Sequence, residues 1–455
     1  MNPNKVFLVQ RGEIEGRVDA NIHHPDRIKI IHQLKKINWV LKPLKLVAKF
    51  HKNVCFQNLE NLPYVGLENI ENNTGFFIET SEKENFSSAV KFQKGQVLFP
   101  KLRPYLNKIY LAEFSGLCST EFHILDSDIV DNRYLAHFLR LNLVVNQTKH
   151  LMSGNTLPRL QTLDIQNLLI PVPPLEIQAQ IVAQFETAYA QKRAKEAEAK
   201  TLLAGIDEYL LNALGIRLPE PTEKKKFFYV RANQVSGGRL DAFYHQSEFE
   251  ELEKALRNGH YELINFKELI IDLKNGIEIR NYVESGFRYL RVTDLDKHSI
   301  NDTNKRFVDV AEIPDKIKLN KNCILVARSG SLGLISIVTD ELLNSILSSH
   351  IFKIELNINL VKPEYLELYF RSILGQKQFF RKNNGGVIPE INQNALKSIL
   401  VSLPPLAVQA EIANHITEIR TKAKRLEQEA KEIIERAKKE VEMMILNLGT
   451  TNGQG

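Results

Sequence analysis

The sequence predicts an α+β protein: two tandem mixed α/β globular domains, each followed by a long helix, with the two helices pairing. Three observations predict it. A series of short motifs occurs twice in the same order. Within each copy short strand-like runs are interleaved with helical stretches. Each copy ends in a proline pair that opens an amphipathic helix.

The repeat is read from the N-terminus onward. Gly16-Arg17-Val18-Asp19-Ala20 recurs as Gly238-Arg239-Leu240-Asp241-Ala242, after the strand-like starts Val6 to Val9 and Phe227 to Val230. Tyr64-Val65-Gly66-Leu67 is echoed by Tyr289-Leu290-Arg291-Val292, and Val97 to Lys101 by Ile324 to Arg328. Tyr134, Leu135 and Arg140 answer to Tyr365, Leu366 and Arg371; Gly154, Pro158 and Leu160 answer to Gly385, Pro389 and Ile391. Finally Pro173-Pro174-Leu175-Glu176-Ile177-Gln178-Ala179 becomes Pro404-Pro405-Leu406-Ala407-Val408-Gln409-Ala410. The offset drifts between copies, as short insertions in surface loops would make it.

Inside each domain, GQVLF, STEFHIL, CILVA and HIFKIEL read as strands, while NRYLAHFLRLNLV and PEYLELYFRSIL read as helices. The second long helix carries apolar residues at Ile412, Ile416, Ile419, Ala423, Leu426, Ala430, Ile433 and Ala437, a four–three spacing that makes a heptad seam. The first has Ile181, Phe185, Ala188, Ala199, Leu202, Ile206 and Tyr209 in the same register, interrupted by Lys192 and Lys195, and should stop at Gly215. A helix of ~36 residues would run ~54 Å. The expected boundaries are a first domain over 1–170, its conserved segment and helix over 171–215, and a charged linker over 216–226. A second domain over 227–401, its segment and helix over 402–447, and a frayed tail over 448–455 complete the chain.

The 455 residues exceed one compact core, and 43% hydrophobic with 25% charged residues fits a folded protein without large-scale disorder. Cys55, Cys118 and Cys323 have neither metal-site nor disulfide-framework spacing and read as buried thiols in a reducing cytoplasm. His23-His24 reads as a surface pair. No signal peptide or membrane span is expected. A net charge of +6 and a pI near 8.9 hint at a polyanionic partner.

Enzyme signatures are missing. The chain has no P-loop, no G-x-S-x-G elbow and no H-E-x-x-H, and Ser329-Gly330-Ser331-Leu332-Gly333 reads as a glycine-rich turn. The motifs of an adenine methyltransferase are absent, and Glu223 and Lys225 fall in the linker rather than in a nuclease core. No catalytic, cofactor-binding or metal residue is assigned.

Two α+β domains, each closed by a PPLxxQAxI-like segment opening a long helix, resemble the specificity subunit of type I restriction-modification enzymes over nearly the whole chain, from about Val6 to Leu446. The resemblance implies two target recognition domains, each reading one half of a bipartite double-stranded DNA target, held apart by an antiparallel coiled coil. It implies two methyltransferase subunits docked on this scaffold, binding S-adenosylmethionine and methylating adenine, with motor-nuclease subunits joining the full restriction complex. The chain itself would hold no cofactor, act in the cytoplasm and be a non-catalytic reader of an asymmetric target. A pseudo-twofold reader suits half-sites about one helical turn, ~34 Å, or a multiple apart.

Basic and amide side chains in loops are the candidate DNA contacts, because Arg and Lys read guanine or grip phosphate while Asn and Gln read adenine. In the first domain these are Lys101, Arg103, Lys149 and Asn155; in the second, Arg280, Asn281, Tyr282, Arg328, Lys382 and Asn383. Lys101 and Arg328 hold equivalent repeat positions. The candidate partner-binding surface is the retained helix-opening segment: Pro173, Pro174, Leu175, Gln178, Ile181 and Phe185, with Pro404, Pro405, Leu406, Gln409, Ile412 and Ile416. The alternative is a coiled-coil scaffold recognising protein or RNA, which would lack steep salt dependence and sequence preference on duplex DNA.

Overall fold

The computed structural model describes residues 22–56, 62–80, 87–154, 156–220, 229–230, 239, 241–295 and 300–448. The opening motif at 16–20, part of its echo (238 and 240), the strand-like starts at 6–9 and 227–228, Asn155, and the tail from 449 lie outside these residues. The chain divides into two units, Met1–Ala197 with Leu426–Gly455, and Glu198–Arg425. This differs from the sequential boundaries expected, because the C-terminal part of the second long helix belongs with the first unit.

In the first unit, four antiparallel strands lie in the order Lys49–His51, Phe122–Asp126, Val97–Pro100, Tyr110–Leu111. In the second, Ile270–Asn275, Ile351–Leu356, Cys323–Ala327 and Ile335–Ile337 reproduce that order. All four runs read as strands from sequence fall in these sheets. Their near-continuous apolar character reflects burial: every residue of Cys323–Ala327 is buried. A further parallel pairing also recurs. Tyr64–Val65 runs beside Gly116–Ser119, and Phe287–Leu290 beside Ser345–Leu347. The sheets built around those pairs differ, with Ala89–Phe92 added against Gly116–Ser119 in one and Arg306–Val308 against Phe287–Leu290 in the other.

Each predicted helical stretch forms, breaks toward its C-terminal end and resumes as a second helix. Asn132–Leu139 is followed by Asn142–Thr148, and Pro363–Arg371 by Ile373–Arg381, where Ser372 caps the new helix by accepting from the Leu374 N–H. The same buried polar ties then recur at matched positions. The Tyr134 hydroxyl donates to the Pro171 carbonyl at 2.9 Å, and that of Tyr365 to Ser402 at 2.6 Å. The amide oxygens of Gln147 and Gln378 accept from the N–H groups of Leu169 and Leu400. Burial without such partners would cost about 1–3 kcal/mol per group, so these ties fix how helices meet strands.

The proline pairs end the strands Leu169–Val172 and Leu400–Ser402, and long helices start directly after them, at Leu175–Ala204 and Leu406–Leu448. The first passes a one-residue irregularity at Gly205 and continues as Ile206–Leu214 to the expected stop, Gly215, whose φ of +65° is the left-handed cap that glycine adopts without strain. The second, 43 residues, is longer than expected, about 65 Å. Its buried positions follow the expected seam, except that Ile434 is buried where Ile433 was expected and Ile419 is half-buried. Within the first unit, Gln184 donates to Glu440 at 2.8 Å and Lys195 meets Glu429 at 2.6 Å. Within the second, Glu198 meets Lys422 at 2.9 Å and the Tyr209 ring lies 4.1 Å from that of His415.

Lys192, one of the two lysines interrupting the first seam, is buried. Its ammonium is satisfied by Glu71 at 3.2 Å and Glu196 at 2.8 Å. The first core combines Leu135, Phe138, Ile181 and Phe185 with Ile434, Val441 and Ile445. The second gathers Leu210, Leu214, Tyr365, Phe370, Ile412 and Ile416. No helix among the described residues is long and apolar enough to cross a membrane.

Candidate nucleic-acid interface

The equivalence of Lys101 and Arg328 is visible in the backbone. Each follows the last residue of its central strand, Pro100 or Ala327. The Lys101 N–H donates to the Glu121 carbonyl and its own carbonyl accepts from Leu160; Arg328 donates to His350 and accepts from Ile391. Two residues on, the Arg103 N–H donates to Pro158 at 2.8 Å and the Gly330 N–H to Pro389 at 2.9 Å. Each strand end is thereby stitched to the loop that carries Gly154 or Gly385.

Around the first strand end the cations are Lys101, Arg103, Arg159 and Lys52. Arg159 forms a two-pronged pair with Glu121, at 2.8 and 3.2 Å. Burial, followed by the charges of Lys101 and Lys52, pushes His123 down to about 4, so it is neutral near pH 7. Arg103 is exposed and sits at φ +47°. An arginine in the left-handed region costs about 1–2 kcal/mol relative to its preferred conformations, and the second unit uses glycine there, Gly330 at φ +85°. A strained backbone position kept at an exposed basic cluster makes Arg103 a functional candidate.

Around the second strand end Arg328, Asn383 and Arg280 are held by neighbouring sets of ion pairs and hydrogen bonds. Arg328 pairs with Glu390 at 2.6 Å, and the Glu390 N–H donates to the Asn383 side chain. Ser329 lies 2.6 Å from His350 Nδ1; the neighbouring Ser349 donates to Glu278, which pairs with Arg280 at 3.2 Å. Asn281 and Tyr282 are exposed beside Arg280, with the Arg306 guanidinium over the Tyr282 ring. Gly276 lets this loop hug the strand, since a Cβ there would collide with the Leu347 and Ser348 carbonyls. Lys382 is set apart: its ammonium donates to Ser398 and burial lowers its pKa to about 8. The Ser329–Gly333 run is the glycine-rich turn expected, with positive φ at Gly330 and Gly333.

Several expectations are corrected. Lys149, chosen for its place near Gly154, is bound to Asp26 at 3.0 Å, beside His24 and His150. His23-His24 is no surface pair, for His23 is buried and the His24 ring stacks on His150 at 3.5 Å. The ligand atoms of His24, Asp26 and His150 lie within 4.8 Å of one another. Parallel rings at that spacing put a shared ion outside both ring planes, and Lys149 already neutralises Asp26, so no metal is assigned.

The partner-binding set is corrected in larger part. Pro173, Gln178, Ile181 and Phe185, and likewise Pro404, Gln409, Ile412 and Ile416, are buried inside their own units. Gln178 accepts from the Asp131 N–H and donates to the Pro173 carbonyl; Gln409 does the same with Lys362 and Pro404. The retained glutamine is thus an internal clasp between the helix opening and the preceding domain. Only Pro174, Leu175, Pro405 and Leu406 face outward, Leu175 at 73% exposure.

Sequence reasoning missed Arg159, Lys52, Ser329, His350 and Glu390. Arg159 was in view, one residue before the matched Leu160, but its counterpart is acidic, so the repeat gave it no weight. The shared position pairs differently in each unit: Arg159 reaches Glu121, whereas Glu390, its counterpart, pairs with Arg328, the counterpart of Lys101.

Two copies of one α+β unit, each presenting basic groups at the same strand end over a differently built second sheet, define a duplicated recognition protein with two non-identical reading faces. Residues 38–202 and 270–436 match the type I restriction modification DNA specificity domain. The chain is 21% identical to the EcoKI specificity subunit of Escherichia coli K12 over 88% of its own length and 85% of that protein's. It is 30% identical to the EcoDI specificity subunit of Escherichia coli over 27% of each chain. Its fold is shared, at a TM-score of 0.55 and 18% identity, with a chain from a structure of type I R-M complex assembly and conformational transition, covering 92% of this chain and 98% of that one. The chain belongs to the type I restriction-modification DNA specificity family, and its two matched domains make it a specificity subunit, the recognition component and not the catalytic one.

Proposed function

We propose that this chain reads a split, asymmetric DNA sequence in the cytoplasm, one half-site per unit, on behalf of methyltransferase subunits that supply S-adenosylmethionine and the adenine-methylating chemistry. The observation that carries this reading is the matched pair Lys101 and Arg328, held in the same backbone setting at the ends of equivalent strands. Phosphate and base contacts both call for such cations. Divergence of the sheet beside each strand end supports two different half-sites.

The two long helices are proposed to pair as an antiparallel coiled coil that sets the half-site spacing. Supporting this, the partner of each successive residue on the first helix comes earlier on the second: Gln184 with Glu440 and Lys195 with Glu429 in one unit, Glu198 with Lys422 and Tyr209 with His415 in the other. Two methyltransferase subunits, one per repeat, are proposed to dock on the outward residues Pro174, Leu175, Pro405 and Leu406, with motor-nuclease subunits completing the restriction complex.

The test is single-molecule sequencing of modified bases in cells with and without this gene. Loss of N6-methyladenine at one split motif establishes the function and yields both half-sites. A methylome that never depends on the gene, in cells expressing the partner subunits, refutes it.

A further inference from the structure

Beside the basic groups, each recognition unit ends in an apolar point. Leu157 is 46% exposed and Ile388 65%, with Val387 fully exposed next to it. Leu157 and Ile388 are the same position in the repeat, each followed by the proline whose carbonyl is tied to the strand end. The loops are closed behind them. Ser153 and Arg159 exchange both backbone hydrogen bonds, and Asn384 donates to Glu390 while Asn383 accepts from Gly385 and Glu390. Gly154 has φ +94°, and a Cβ at Gly385 would run into the Ile388 carbonyl, so glycine is what lets each loop turn tightly enough to project its tip. An aliphatic side chain exposed at the tip of a loop turned by glycine gains free energy by entering an apolar surface.

The charge around each tip identifies that surface. Lys101 and Arg103 are tied through the backbone to the residues beside Leu157, where Arg159 also lies, paired with Glu121; Arg328, paired with Glu390, is tied in the same way beside Ile388. An apolar residue framed by guanidinium and ammonium groups suits duplex DNA, where cations hold the backbone and an aliphatic side chain can part a base step. Resting on the DNA-reading function proposed above, we infer that Leu157 and Ile388 are a matched pair of apolar wedges, one per half-site, entering the duplex at a base step and unstacking it. Because the wedge is retained while the surrounding residues differ, it contributes anchoring and local distortion common to both half-sites, leaving base discrimination to the polar groups beside it.

The experiment uses the chain assembled with its methyltransferase subunits and a duplex carrying its methylation motif, with 2-aminopurine substituted in turn for each adenine. Wild-type complex should raise the fluorescence at one step in each half-site. Leu157→Ala should abolish the rise in one half-site only, Ile388→Ala in the other, each weakening duplex affinity about tenfold or more, as loss of a buried aliphatic side chain would. Leu157→Phe, a larger wedge, should keep the signal. A wild-type complex that binds the motif with no fluorescence rise overturns the inference, as do alanine variants with unchanged affinity and signal. Variants that lose the methyltransferase subunits while the wild-type signal depends on neither residue assign the tips to a protein contact instead. A wild-type complex with no preference for the motif would overturn the DNA-reading proposal itself.

Discussion

Arg103 in the first unit occupies the backbone position that Gly330 holds in the second, both with positive φ and both donating to the carbonyl of the matched proline. One copy of the repeat uses the residue that fits; the other uses one that does not, and gains an exposed guanidinium. Arg103→Gly should therefore raise stability by about 1 kcal/mol while lowering duplex affinity. Urea midpoints and fluorescence anisotropy on the same preparation check both signs, and a variant neither more stable nor weaker in binding would count against a functional role for the strain.

Lys101→Ala and Arg328→Ala should each weaken duplex binding and reduce the slope of log affinity against log salt by about 0.9, the signature of one lost phosphate contact. Partner assembly, followed by size-exclusion chromatography, should be unchanged. Unaltered affinity at moderate salt would remove either residue from the interface.

Gln178→Ala should behave oppositely. It leaves the half-buried Asp131 N–H and the buried Pro173 carbonyl without their partner, a cost of about 2 kcal/mol, so the denaturation midpoint should drop while the folded fraction binds duplex normally. Gln409→Ala should match it through Lys362 and Pro404.

Acid should weaken the first unit earlier than ordinary carboxylate titration would. Burial, reinforced by Lys101 and Lys52, holds His123 at about 4, and burial with Arg140 pushes His137 well below its ordinary value. The unfolded chain takes up protons near pH 6.5 that the folded unit refuses, so stability is full above about pH 6.5 and falls from there toward pH 4. Denaturation midpoints at pH 7 and 4.5 measure it, and His123→Gln should flatten the dependence.

Exchange of residues 5–170 for those of a relative with another target should change one half-site of the methylated motif and leave the other intact. A chimera in which both half-sites changed would sink the two-reader architecture.

Much of the fold was legible because duplication supplies its own alignment. Val97 to Lys101 and Ile324 to Arg328 identify each other as strand ends without help from any other sequence, and both prove to be central strands of like-ordered sheets. Periodicity also located the helices, but a heptad seam specifies one buried stripe to within a neighbouring residue; the structure buries Ile434 where spacing selected Ile433. The interface was harder to read. Residue type and place select Lys101, Arg103 and Arg328 as candidates, and the structure sets all three at the matched strand ends. Arg159 escapes the repeat because its charge changes sign between copies, and the pairing of Lys149 with Asp26 joins positions 123 residues apart, beyond any local pattern. Gln178 and Gln409 are retained between the copies and prove to bond internally; a buried clasp and a docking surface leave the same trace in one sequence.

The first unit is assembled from two segments separated by the whole of the second, its core closed by Ile434, Val441 and Ile445, whereas the second is one continuous segment. During synthesis the residues up to Arg425 suffice for the second unit, while the apolar faces of the first stay open until the segment from Leu426 has also emerged. The unit whose synthesis begins first is thus the one that closes its core last.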